Sequence, residues 1–253
     1  VITYELGLSQ SAELAYELGS QSAIDAGATG FYIDSSLKLW LDASDTSTIS
    51  HSTGNVTSWG DKSGNANNAT TSSGSPRTGD STQNGKNVID FTTSQMTLPS
   101  ALYTIPSGAN TLFVVAKRTT ETGLIGTTIA MATGATNQYF HIFGVAGFQS
   151  FTNRDAGGGS RSVSGITNTN FSVAYMRRSS TTQGIAVNST TLSTNTSATD
   201  ATPTAAYIGT AASLTLPLIG SIAEIILYNA AITDAQALTV MNYLSRKWNV
   251  TLT

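Results

Sequence analysis

Leu37, Leu39 and Leu41 alternate with Lys38, Trp40 and Asp42, a period of two that predicts a β-strand with one buried face. The stretch "DASDTSTISHSTGN" after it carries almost no apolar residues and reads as a polar loop. "VTSWGDKSGNANNA" reads as a short strand running into a turn, with Gly60, Gly64 and several Asn supplying turn conformations. "NVIDF" is a further strand, and "TLFVVAK" is a continuous apolar run suited to a strand buried on both faces. "QYFHIFGV", "FSVAYMRR", "GIAVNS" and "AAYIGT" follow, each bounded by Gly, Asn, Ser or Thr. Short strands with closely spaced turn signals predict an all-β, two-sheet antiparallel jelly-roll sandwich.

The period changes near the C-terminus. "GSIAEIILY" predicts a long strand. Thr233-Asp234-Ala235-Gln236 then fits a capping box, a Thr N-cap with Gln three residues on. Ala237, Val240, Met241, Leu244 and Trp248 fall on one helical face, so an amphipathic helix is expected from about Thr233 to Trp248.

Two of these stretches carry a resemblance. "LKLWLDASDTSTI" followed by "VTSWGDKSGN" resembles the opening of the laminin-G-like jelly rolls of the concanavalin A-like lectin/glucanase superfamily. "LIGSIAEIILYNAAITDAQALTVMNYLSRKWNV" resembles their close, and "TLFVVAK", "FSVAYMRR" and "YIGT" fall between them in the expected order. The resemblance covers residues 35–253 and implies a jelly roll. It says little about function, because that superfamily holds lectins, glycosidases and adhesive modules. Read from the residues alone, Trp40, Trp59 and Trp248 fill the core, Asp61 closes an Asx-type turn, and Glu224 makes a structural hydrogen bond or sits at an edge.

The first residues have a different texture. Tyr4-Glu5-Leu6-Gly7 returns as Tyr16-Glu17-Leu18-Gly19, and Ser9-Gln10-Ser11-Ala12 returns as Ser20-Gln21-Ser22-Ala23. Leu, Ala, Glu and Gln favour helix, but Gly7 and Gly19 interrupt it, and so short a helix is marginal in water. Tyr4, Leu6, Leu14, Tyr16 and Leu18 are too many apolar residues for a free tail. Residues 1–34 are therefore expected to form a partly helical docking arm, with Gly27–Gly30 as a hinge, ahead of a jelly roll over residues 35–253.

Composition narrows the classes. The 253 residues suffice for a large core without cross-links, and there is no cysteine. Charged residues make up 11%, well under the usual level of about 25%, while Ser and Thr together exceed a quarter. With a net charge of −3 and Arg177-Arg178 and Arg246-Lys247 as the best local candidates, read as solvated surface, nucleic-acid binding is not expected. No apolar run is long enough for a membrane-spanning helix, so membrane insertion is not expected. Residues 1–26 hold no Lys or Arg, so no secretory leader is evident: it was removed, or that export route was not used.

Catalytic patterns are missing. The Glu-x-Asp-x-x-Glu strand of the superfamily's glucanases has no counterpart, since Glu224 is followed by Ile225, Ile226, Leu227 and Tyr228. Asp90, Asp155 and Asp200 are scattered. The only histidines, His51 in a polar loop and His141 in an aromatic strand, read as structural, and "DAGGGSRS" around Gly158 reads as a loop tip. No enzyme and no cofactor are expected. Calcium is the one ion to weigh, with Asp42, Asp45, Asp61 and Asn65 as the nearest oxygens, and no ligand set is assigned. The sequons at Asn55, Asn68, Asn170, Asn188, Asn195 and Asn249 are expected by chance in so Asn-, Ser- and Thr-rich a chain.

Three functional readings follow. The preferred one is a non-catalytic virion surface protein, a bacteriophage head decoration, fibre or tail component. Its arm would dock on capsid proteins or on further copies of the chain, and its jelly roll would project outward toward host glycans. The second is a secreted carbohydrate-binding or cell-adhesion module. The third, a glycoside hydrolase, is disfavoured by the missing carboxylate pair.

Overall fold

The computed structural model describes residues 31–105, 108–119, 126–133, 136–143, 148–153, 159–179, 182–196, 203–210 and 216–253. The residues expected to dock, Tyr4, Leu6, Leu14, Tyr16 and Leu18, the expected hinge at Gly27–Gly30, Asp155 and Asp200 lie outside them. In chain order the first strands are β1 (Leu37–Asp42), β2 (Ile49–Ser52), β3 (Asn55–Trp59), β4 (Ala69–Ser73), β5 (Arg77–Gln83), β6 (Lys86–Thr92), β7 (Gln95–Thr97) and β8 (Asn110–Arg118). Then come β9 (Gly126–Thr133), β10 (Thr136–Phe143), β11 (Phe148–Asn153), β12 (Gly159–Ser164), β13 (Ser172–Ser179), β14 (Thr182–Val187), β15 (Ser193–Asn195), β16 (Ala205–Ile208) and β17 (Ile219–Tyr228). A single α-helix among the described residues, α1 (Asp234–Trp248), closes the order.

All pairings between these strands are antiparallel, and they fall into two layers. In the first, β17 is central: β8 runs along one edge, while β6 and then β1 share the other. The layer continues from β8 through β13 and β14 to β15. The second layer runs β2, β3, β4, β7, β16, β9, β10, β11, β12. A single pairing, Asn55 with Arg77, joins β3 to β5 and so links the layers. Leu39, Leu41, Trp59, Phe91, Val114, Ile129, Met176, Ile208 and Ile225 interdigitate between them.

A second core lies on the other side of the first layer, under α1. Phe113, Val115, Val173, Tyr175, Ile226 and Tyr228 face Ala237, Val240, Met241, Leu244 and Trp248 of the helix. Both faces of β8, β13 and β17 are therefore buried, which is why their sequences run apolar without alternation. The expected capping box is present: Gln236 N donates to Thr233 Oγ1 at 3.3 Å, and Thr233 N donates to Gln236 Oε1 at 2.8 Å. Asn249, with φ 52°, ends the helix in the left-handed conformation. The segment just before β1 belongs to the same core. Phe31 is fully buried between Trp40 and Tyr243, and the Tyr228 hydroxyl donates to the Tyr32 carbonyl at 2.6 Å.

One expectation is corrected. The polar stretch after β1 is not a loop throughout, because Ile49–Ser52 forms β2, hairpinned to β3 through Thr53 and Gly54, both at positive φ. Only Ile49 of β2 is buried; its other three residues face solvent, so no alternation could show.

Candidate functional site

The residues that carry the family resemblance meet at one buried point. A β-bulge between Ile222 and Glu224 changes the facing of β17 there. Ile222 joins the inter-sheet core, while Ala223 lies in the core under α1. Glu224 is thereby turned toward the helix, 1% exposed. Its Oε1 accepts from Trp40 Nε1 at 2.7 Å and from the Tyr243 hydroxyl at 2.9 Å. Its Oε2 accepts from Trp248 Nε1 at 2.6 Å and lies 2.9 Å from Lys247 Nζ. Every one of these partners is a donor, so the carboxylate is the form the site fits.

Lys247 also reaches Asp42 Oδ1 at 2.6 Å, and Asp42 is the cross-strand partner of Glu224. Lys62 Nζ completes the chain, 2.9 Å from both Asp42 Oδ2 and Asp45 Oδ2 and 4.5 Å above the Trp40 ring. Burial would push the Asp42 carboxyl up, but Lys247, Ser44 and Lys62 hold it below the usual carboxylate range. Burial pushes Glu224 up; Lys247 opposes this, the charge of Asp42 adds to it, and the net is a rise.

The other candidate positions resolve as follows. Trp40, Trp59 and Trp248 are all core residues, so none is a sugar-stacking platform. Asp61 closes its turn by accepting from the amides of Trp40, Ser63 and Asn67, each at 2.9 Å. Asn65 donates to the Leu37 carbonyl. The oxygens weighed for calcium thus share one corner, and the cation bridging Asp42 and Asp45 there is Lys62. Asp90 is held by the hydroxyls of Ser81 and Ser221. The pairs Arg177-Arg178 and Arg246-Lys247 are not simply solvated surface: Arg178 is 2% exposed and Lys247 is drawn inward by two buried carboxylates. Arg177 pairs with Asp234 at 2.5 Å.

His51 accepts from Gly54 N in the β2–β3 hairpin. His141 lies in the interior between the layers, 1% exposed. Its Nε2 sits 2.9 Å from Gln149 Oε1, and its Nδ1 sits 2.8 Å from Thr128 Oγ1. Gln149 Nε2 donates to Ser172 Oγ at 2.7 Å, which leaves Gln149 Oε1 facing the imidazole and assigns the ring proton to Nε2. The network joins the two layers.

Among the clefts on the described surface, two lie near the ends of α1. One, of about 460 Å³, runs between the Thr190–Leu192 segment and the start of α1, beside Arg177 and Asp234. The other, of about 420 Å³, is lined by Lys117, Asn170, Phe171, Asn188, Asn249 and Thr251, among others. Neither was legible in the sequence, because each gathers residues from distant segments.

No family model matches the sequence, and no curated protein matches it. Solved structures do. The binding domain of botulinum neurotoxin DC in complex with SialylT superposes with a TM-score of 0.58 at 12% identity, covering 83% of this chain and 52% of that one. A structure of botulinum neurotoxin type C, whose cell entry is dependent upon interaction with two ganglioside molecules, gives 0.56 at 11% identity, covering 83% and 51%. Trypanosoma rangeli sialidase in complex with a difluorinated KDN gives 0.59 at 12% identity, covering 85% and 33%. The chain spans about half of the neurotoxin domains and a third of the sialidase. The shared feature is the fold: this chain is an all-β sandwich of the lectin-like, jelly-roll kind. That architecture serves binding domains and an enzyme alike.

The buried imidazole gives a pH prediction. Burial pushes His141 down from 6.5 to about 4, against the pull of its bond with Gln149. The unfolded chain takes up a proton near pH 6.5, whereas the folded chain refuses it until about pH 4, so acidification across that window favours unfolding. Urea unfolding at pH 7 and pH 4.5 should show wild type losing about 2–3 kcal/mol more than His141→Gln between the two pH values. Equal losses in the two proteins would refute the assignment.

Proposed function

We propose that this chain is a non-catalytic, laminin-G-like binding module of the concanavalin A-like kind, carried on a virion surface and directed at host glycans. The observation that carries the non-catalytic reading is the fate of the Asp42–Glu224 couple. A glycosidase needs two carboxyl groups flanking the scissile bond, and Asp42 and Glu224 are a pair that the fold sets opposite one another. Here both are buried, and their oxygens are taken by indole N–H, hydroxyl and ammonium donors. No substrate oxygen can reach them. The Lys117 cleft that stays open on the described surface is lined mainly by amides, hydroxyls and one cation, which suit recognition better than hydrolysis. The likeness to receptor-binding domains supports the same reading. The low charge, missing cysteine and Ser/Thr-rich surface suit a durable extracellular particle, and a secreted adhesion module is the reading it competes with.

The test pairs two measurements on the full chain. Binding to an immobilised panel of host and bacterial glycans should be detected. Incubation with β-glucans, agars and capsular polysaccharides should release no reducing sugar. Release that disappears on substitution of a carboxylate would overturn the non-catalytic claim, and silence across the whole glycan panel would overturn the lectin-like one.

The arm is assigned to assembly on its apolar residues Tyr4, Leu6, Leu14, Tyr16 and Leu18, which need a surface to bury against, supplied by a neighbouring copy or a capsid protein. The chain enters the described structure at Phe31, pinned under Tyr243, so a protein starting there keeps that anchor. Sedimentation and melting of residues 31–253 should show an unchanged fold and lost self-association or particle binding. Normal assembly of the truncated protein would end the docking proposal, and unfolding would make the arm part of the core.

A further inference from the structure

Of the two clefts, the one beside α1's first turn has its cation already answered, since Arg177 bonds Asp234 and the Ile232 carbonyl. The Lys117 cleft differs. Its ammonium lies 5.1 Å above the Phe171 ring, and among the described residues no carboxylate lies within ion-pair reach of it. The Phe171 ring is only 8% exposed, so it serves as a floor that holds the ammonium in place. Around it the walls offer donors. Asn188 Oδ1 is taken by the Val173 N–H at 2.8 Å, which leaves the Asn188 NH₂ as its unspent group. The exposed side chains of Asn170 and Asn249 bond to no other described residue, and Thr251 adds a hydroxyl.

The walls are also fixed in advance. Thr253 N donates to the Asn188 carbonyl at 2.6 Å, and Gln83 Nε2 donates to the Trp248 carbonyl at 2.7 Å. The cleft's shape is therefore set before a ligand arrives, which lowers the entropy lost on binding. No carboxylate lines it, in a chain whose net charge is −3. A fixed ammonium ringed by amide and hydroxyl donors selects a ligand that is acceptor-rich and carries one negative charge.

We infer that the Lys117–Asn170–Asn188–Asn249 cleft is the glycan site of this module and that it takes a saccharide bearing a carboxylate. The carboxylate meets Lys117, and ring hydroxyls and carbonyl oxygens meet the Asn amides. This inference rests on the lectin-like reading above. Calorimetric titration of the full chain with 3′-sialyllactose and trigalacturonic acid, against lactose and cellotriose, separates the two. An acidic probe should bind at least about tenfold more tightly than the neutral ones, and more weakly as salt rises. Lys117→Gln should lower that affinity by about tenfold or more. Asn170→Asp, which sets a carboxylate in the wall at an exposed position, should weaken acidic probes more than neutral ones. Equal binding of acidic and neutral probes, or an acidic affinity unchanged in Lys117→Gln, would overturn this assignment while leaving the lectin-like reading standing. Failure of every probe here and of the wider glycan panel would remove both.

Discussion

A carboxylate buried between a sheet and a helix costs several kcal/mol unless donors surround it. Glu224 is in that position, and its donors come from two distant elements of the chain: Trp40 on β1, and Tyr243, Lys247 and Trp248 on α1. Each must arrive for the charge to be tolerated. Lys247 then requires Asp42 beside it, and Asp42 requires Lys62, which brings the loop after β3 into the same corner. The burial of one charge thus fixes the register of β1 against β17, the rotation of α1 over the sheet, and the path of the Asp61 turn. The apolar residues around it supply most of the stabilisation, but they are interchangeable in a way that these hydrogen bonds are not.

This arrangement explains why a resemblance can be specific for fold and silent about function. Trp40, Asp42, Asp61, Lys62, Glu224, Lys247 and Trp248 are motif residues, and all of them are occupied with one another or with backbone. Function on such a scaffold belongs to its surface, and the proposed glycan site draws on the segments that converge around Lys117. The neurotoxin domains and the sialidase share the scaffold while differing in what it carries.

Much of the first layer could be read from the sequence because its strands are buried on both faces or alternate cleanly. Leu37–Asp42, "TLFVVAK" and the capped helix announce themselves through period and chemistry. The burial of the three tryptophans and the Asx role of Asp61 also follow from residue type and turn context. The most polar strands did not announce themselves. Ile49–Ser52, Ala69–Ser73 and Arg77–Gln83 carry one or no large apolar residue each, and their pairing is decided by neighbours far along the chain. The bulge at Ala223 reverses the facing of Glu224, which no periodicity reveals. Its bond to Trp40 spans 184 residues, a pairing that a single sequence cannot show. The clefts are hidden for the same reason: Lys117, Asn188 and Asn249 are neighbours only in the folded chain.

The decisive measurement is a double-mutant cycle on the buried pair, read by chemical denaturation of Lys247→Met, Glu224→Gln and the double variant. If the charge organises the fold, Lys247→Met alone should cost about 3–5 kcal/mol, because Glu224 is left buried without a cation beside an Asp42 that keeps only Lys62. The double variant should then recover part of that loss, with a coupling of about 1 kcal/mol or more. Additive effects, or a Lys247→Met protein within about 0.5 kcal/mol of wild type, would contradict the account.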